Sequence, residues 1–267
     1  MLKTEVALFR GLFGKKTGAP PAAKAQPADR LVTASRPWAG EPDEIAVNFA
    51  VGDLINNLPL RMTVDGRIHA ETMIAAAGAI AGYAAQRALF ARAAETGVDL
   101  ELHIATTARG DQFFFGEPLN QSLLPQSDAE APEKLWSLAA GGAVAAGLAA
   151  DDLPDVGAMF AHVAGAIGGD KEGLSSLEQY QPHLPAKDLL KVVWPLALMC
   201  FNGELSGKVI KPTIIVTQRW RPVIAATAVN TFIRQVSSVL PPAAALTVAM
   251  EAAIYASKLQ PTVIEPA

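Results

Sequence analysis

One cysteine, no cluster of basic residues and no long uninterrupted apolar run mark this 267-residue chain, and each shortage excludes something. A single thiol, Cys200, cannot pair within the chain, so no disulfide framework is available to it. Set among Leu198, Met199 and Phe201, it reads as a buried small hydrophobe in a reducing compartment. The longest charge-free stretches, Leu135–Ala150 and Gln235–Met250, are 16 residues each. A membrane-spanning helix needs ~18 to 20. Both stretches are rich in Ala and Gly, which suits helices packed closely inside a water-soluble body and accounts for a mean hydropathy of +0.24. With 22 basic against 26 acidic residues the net charge is −4, so nucleic acid is not the expected partner.

Recognisable reaction motifs are also missing. The four histidines, His69, His103, His162 and His183, include no pair at the three-to-five-residue spacing that places two imidazoles on one helical face, so no metal site is predicted. Gly203, Gly207 and Lys208 fall one residue short of a phosphate-binding loop, and Val209 stands where a magnesium-holding hydroxyl belongs. Gly141, Gly142 and Gly147 lie in a helical pattern and do not follow a strand, so they are not a dinucleotide fingerprint. No cofactor is expected. Asp151, Asp152 and Asp155 are accounted for as acidic residues at a helix start.

What is present divides the chain into four parts. Residues 1–13 place Leu2, Val6, Phe9 and Phe13 on one helical face, a short amphipathic helix. Glu5 and Arg10 interrupt it too early for an export signal, and a cytoplasmic location is expected. Residues 14–42, rich in Pro, Ala and Gly, read as a flexible linker. Residues 43–260 read as a single mostly helical globular domain, and 261–267 as a C-terminal tail.

Within the domain, a first helix runs from Asp43 and is expected to end before Pro59. From Thr72 to Gln86 no charge appears, so the helix over Glu71–Glu95 is the most buried, with Gly97 as its cap and with Gly78 and Gly82 spaced for close approach of another helix. Val98, Leu100, Leu102 and Ile104 alternate with Asp99, Glu101, His103 and Ala105, the period of a strand. Arg109–Asp111 turn the chain into a second strand, Gln112–Phe115. Helices follow at 132–150, 155–168, 186–201, 222–240 and 241–259, with Pro195 expected to kink or end one of them. The fold class is therefore α+β, predominantly α: a multi-helix domain with a small antiparallel hairpin or sheet around residues 98–116. A third strand over 213–217 or a covering helix must bury its Phe-rich face.

Candidate binding residues follow from this layout. Phe113, Phe114 and Phe115 cannot all share one strand face, so Phe114 needs a covering helix, a ligand or a second subunit. His103 shares a predicted strand face with Glu101 and Asp99. Trp220 lies between Arg219 and Arg221 and could stack on or clamp an anion. A pocket between hairpin and helices would draw on His103, Arg109, Asn120 and Trp220.

The segments Phe113–Asn120, LWSLAAGGA at 135–143 and MEAAIYASKLQP at 250–261 resemble a bacterial family of uncharacterised proteins with no assigned activity. The resemblance spans most of the body but not residues 1–42, and it implies no reaction. The leading functional expectation is a non-enzymatic cytoplasmic interaction or scaffold protein that docks through Leu2, Val6, Phe9 and Phe13 onto a protein partner. Weak membrane-surface contact through residues 1–16 is the second reading of that segment, and the Ala- and Gly-rich helices fit a homo-oligomer. The competing expectation is a small-molecule-binding protein or enzyme.

Overall fold

The computed structural model describes residues 36–205 and 215–265. Nine α-helices and two short antiparallel ladders make up the described residues, in an α+β arrangement dominated by helix.

Helix α1 spans Glu44–Arg61 and runs through Pro59, where the sequence predicts an end. Proline is tolerated there because the helix is closing: Met62 N–H bonds Leu58 O and Pro59 O, and Thr63 Oγ1 donates to Pro59 O. A two-residue ladder, β1 (Thr63–Val64) and β2 (Arg67–Ile68), leads into α2, Ala70–Thr96. Every residue of α2 from Thr72 to Gln86 is buried, as the missing charges require, and Gly97 caps it at φ 68°. Among the described helices α2 alone is long and apolar enough to span a bilayer, and most of that stretch lies inside the body.

The glycines of α2 set its neighbour. A Cβ added at Gly78 would run into the carbonyl of Ala249, and one at Gly82 into the carbonyl of Ala253. Helix α8, Pro242–Ala256, therefore lies backbone to backbone against α2, and both are largely enclosed. Helix α4, Leu135–Ala145, uses the same device: a Cβ at Gly142 would sit 2.8 Å from Asn230 O on α7, Arg221–Val236. Helix α5, Val156–Ala166, starts at Asp155, whose carboxylate accepts from Gly157 N–H at 2.8 Å. Helix α6, Ala186–Phe201, passes through Pro195 without ending at Trp194. Helix α9, Pro261–Ile264, closes the described chain.

The hairpin is shorter than the alternation predicts. Strand β3 is His103–Thr106 and β4 is Gln112–Phe115. The pattern from Val98 to Leu102 has no ladder partner, because pairing stops at His103 opposite Phe115 and Gly116 then turns the chain into α3, Glu117–Leu123. Asp99 Oδ1 instead accepts from Glu101 N–H, and Glu101 takes φ 49°, so Asp99, Glu101 and His103 do not form one strand face. The turn is as expected, with Gly110 at φ 88° and Thr107 N–H bonded to Asp111 O.

Among the described residues, the third neighbour of the hairpin is not the stretch 215–217. Positions 215–217 carry no regular structure, and 213 and 214 lie outside the described residues. The chain just after α8 takes that place: Phe114 N–H donates to Lys258 O at 2.8 Å, and Phe113 bridges Leu259.

Two boundaries also differ from the composition-based division. Trp38, inside the expected linker, is buried and donates its indole N–H to Asn48 Oδ1 at 3.0 Å. In the expected tail, Ile264 is buried and Glu265 accepts from the Trp194 indole N–H at 2.9 Å. Trp38 supplies apolar area that the Pro and Ala residues around it lack, and Trp194 of α6 ties down the C-terminal residues through its indole N–H.

Candidate functional site

The densest meeting of charged groups lies on Glu172, in the irregular stretch between α5 and α6. Four elements reach its carboxylate. Tyr255 of α8 donates its hydroxyl to Oε1 at 2.7 Å, and Lys187 of α6 approaches Oε1 at 3.5 Å. Gly168 N–H, just past α5, donates to Oε2 at 2.7 Å, and Arg109 from the hairpin turn reaches Oε2 at 3.4 Å while also bonding Gly169 O. The carboxylate side chain is only 8% exposed, against 56% for Arg109.

Burial alone would raise the carboxyl pKa of Glu172. The Tyr255 hydroxyl, the Gly168 amide and the Lys187 charge together outweigh it and hold the group below its ordinary value. The Tyr255 phenol is pushed far up, first by burial and then by the anion it faces. The pair is therefore a neutral phenol donating to a carboxylate.

A second buried carboxylate sits on the same helix as Tyr255. Glu251 is 3% exposed, and its Oε2 accepts from Ser175 Oγ at 2.8 Å and from Ser176 N–H at 2.9 Å. Its Oε1 has no hydrogen-bond partner among the described residues. On α2, Gln86 is fully buried and its amide N–H₂ holds Ser257 O and Leu259 O at 2.8 and 2.7 Å, its Oε1 likewise unmatched. None of these residues figured among the sequence candidates. The available signal was a lone polar residue inside an apolar helical pattern, as with Glu251 between Met250 and Ala252.

The predicted site residues go to different places. Arg109 joins the Glu172 junction. His103 is exposed on β3, paired with Phe115. Asn120 lies on α3, donating to Glu117 Oε2 at 3.3 Å, with its Oδ1 buried and without a partner among the described residues. Phe114 packs edge-on against Phe90 of α2, ring centres 5.3 Å apart, so a helix covers it. Trp220 is buried, and its flanking arginines diverge. Arg219 stacks over the Trp220 ring and bonds Glu133, whereas Arg221 lies over Phe201 and bonds Asn202. Leu2, Val6, Phe9 and Phe13 lie outside the described residues.

Of the histidines, His162 bonds Leu174 O at 3.2 Å. His69 and His183, far apart in sequence, stack at 3.8 Å, and Thr72 Oγ1 contacts both the His69 ring and the His183 amide. No group of three or more His, Cys, Asp or Glu side chains among the described residues is arranged to hold a metal.

Between α1 and α6 the surface carries an open cleft of about 380 Å³, lined by Leu60, Val192, Pro195, Leu196 and Met199 with Asn57 and Arg61 at its edge. It is apolar and takes in none of the predicted binding residues. No protein-family model, curated protein or solved structure matches this chain.

Proposed function

We propose that this chain is a cytoplasmic, non-enzymatic interaction or scaffold protein, a braced helical body that docks onto another protein through the amphipathic segment 1–13. The observation that supports this reading is what the polar side chains of the body hold. Arg109, Lys187 and Tyr255 converge on Glu172, and Ser175 and Ser176 converge on Glu251, so loops and helices distant in sequence are tied to one another. Such a frame offers a fixed platform. Leu2, Val6, Phe9 and Phe13 supply an apolar face that gains most from a foreign surface, since an isolated helix of that length is marginal in water.

Deleting residues 1–16 tests the reading, with pull-down from cell extract and flotation with anionic vesicles as the two assays. Protein capture is expected to disappear while the circular dichroism melt of the body is unchanged. Capture that survives the deletion rejects the reading, and loss confined to vesicle binding transfers the segment to a membrane surface.

A second reading, a small-molecule-binding protein or enzyme, is favoured by Asn120 Oδ1 and Gln86 Oε1, buried acceptors on the neighbouring helices α3 and α2. A ligand rich in N–H or O–H donors would satisfy them. Thermal-shift screening of such compounds against the wild type and Asn120→Ala tests it: a shift in the wild type alone supports a pocket there.

A further inference from the structure

The outward face of α1 and α6 is unusually apolar for a surface. On α1, Ile45 is 60% exposed, Phe49 43% and Leu60 72%. With Gly52 and Asn56 they follow the i, i+4, i+7, i+11, i+15 pattern of one helical face. On α6, Val192 and Met199, 42% and 36% exposed, continue the strip across the cleft with Pro195. The α6 residues adjoin the Leu60 end of α1 across the cleft, and the far end of α6 is tied to the start of α1, where Phe201 O accepts from Val216 N–H and Thr217 Oγ1 donates to Asp43. Scattered exposed hydrophobics are ordinary, but a row of them on adjoining helices marks a contact surface.

We infer that a second copy of this chain covers this face, with α1 packing antiparallel on its counterpart about a two-fold axis near Gly52. Three features of α1 make it self-complementary. Its N-terminal end carries Glu41, Asp43 and Glu44, and its C-terminal end carries Arg61 with Asp65 and Arg67 just beyond, so the first end is acidic and the second basic by one charge. Antiparallel pairing sets each acidic end beside a basic one and opposes the two helix dipoles favourably. Gly52 lies at the middle of the helix and on the exposed face, with nothing within 4 Å of where a Cβ would stand.

Glycine within a helix weakens it relative to alanine. Gly78, Gly82 and Gly142 recover that loss by admitting another backbone, whereas Gly52 has no such neighbour among the described residues. A crossing helix from a second copy supplies one. The Ala- and Gly-rich helices that suggested self-association in the sequence are spent inside the body, on α2 against α8, so this surface is a different one.

The extent of the face sets the strength. Helix α1 is ~27 Å long at 1.5 Å per residue, and two adjoining helices present a strip about 20 Å wide. Roughly 500 Å² per copy is below the ~800 Å² of a standard stable interface. The dimer is therefore weak and reversible, with a dissociation constant in the micromolar range or above.

Sedimentation equilibrium of the full chain over a wide concentration range is expected to show a monomer–dimer equilibrium. The double variant Phe49→Lys/Leu60→Glu, altered only at exposed positions, should weaken it at least tenfold with an unchanged circular dichroism spectrum. The pair Phe49→Cys/Asn56→Cys, on the same exposed face on either side of Gly52 and too far apart to bridge within one helix, should form a covalent dimer under mild oxidation, and Val239→Cys, at a position 74% exposed on a different element, should not. The face shares no residue with segment 1–13, so the chain lacking residues 1–16 should dimerise as the full chain does. A strictly monomeric chain overturns the inference. So does a dimer that survives Phe49→Lys/Leu60→Glu, which leaves the reading of segment 1–13 untouched, or one lost with residues 1–16, which would make a second copy the protein that segment 1–13 docks against.

Discussion

Tyr255 donates its hydroxyl to the carboxylate of Glu172 across 2.7 Å, joining the most enclosed pair of helices to the irregular stretch between α5 and α6. That stretch has little regular structure of its own, so its path depends on a few bonds to buried partners. Replacing Tyr255 by Phe removes one donor from a carboxylate that keeps its charge. The cost should be about 1.5 to 3 kcal/mol, the range for hydrogen bonds to charged groups, read from the midpoint of urea unfolding at pH 7.

The same brace gives a pH dependence of defined sign. The Glu172 carboxyl titrates in the folded chain below its ordinary value of 4.5. Its contribution is complete above that value and is lost as pH falls through the folded pKa, because the folded state resists the proton that the unfolded state accepts. Glu172→Gln should lower stability at pH 7 and flatten the fall in stability between pH 5 and the acid limit, as urea titrations at stepped pH will show. An unchanged acid profile would place the carboxylate outside the energetics of the fold.

Much of the architecture is written locally in the sequence, and the site is not. The absence of charge from Thr72 to Gln86 has one structural meaning, burial all round, and α2 is buried over those residues. Gly78 and Gly82, four apart in that segment, announce a close helix before the partner is known. Pro195 and Pro59 do not end their helices, because a proline forfeits only one hydrogen bond and the helix can run on past that loss. The alternation from Val98 to Leu102 misleads because a strand needs a partner, and Gly116 removes it. Glu172 sits among residues with no periodicity. What makes it the meeting point of Arg109, Lys187 and Tyr255 is tertiary proximity over separations of up to 83 positions, which no local pattern encodes.

Glycine substitutions should separate close packing from open surface. At Gly82 a methyl group meets the Ala253 carbonyl, a backbone atom that cannot rotate aside. Gly82→Ala should cost at least 1 to 3 kcal/mol, the usual penalty of overpacking, with more where backbone must move. Gly52→Ala meets nothing among the described residues and should stabilise the monomer by about 0.5 to 1 kcal/mol through helix propensity. Thermal unfolding of the two variants at low protein concentration should therefore move in opposite directions.

Cys200 should be inert in the folded chain. Burial, reinforced by the nearby charge of Asp53, pushes its thiol up to about 12. At pH 8 the thiolate fraction is then on the order of one in ten thousand, against a substantial share for a free thiol of pKa near 8.5. Reaction with an aromatic disulfide reagent should be slower by a factor of a thousand or more in buffer than in denaturant. Rapid labelling under native conditions would mean that the α6 environment opens far more often than its packing implies.

Gln86 offers the sharpest test of how the hairpin is held. Its amide N–H₂ binds Ser257 O and Leu259 O at the end of α8, and Leu259 and Lys258 in turn pair with Phe113 and Phe114 of β4. Gln86→Leu keeps the volume roughly constant but leaves two buried carbonyls without their donor, a loss of about 2 to 4 kcal/mol at 1 to 2 for each unmet group. The loss should not be uniform. Hydrogen exchange at the Phe114 amide, which depends on the placement of Lys258 O, should accelerate more than exchange at amides in the middle of α2. Gln86→Glu adds a second discrimination, because it removes the donors and buries a charge at a site enclosed on all sides. It should be worse than Leu at neutral pH and recover toward it as the solution is acidified and the carboxyl is protonated. Equal acceleration across all amides would instead make the hairpin and the helical core one cooperative unit.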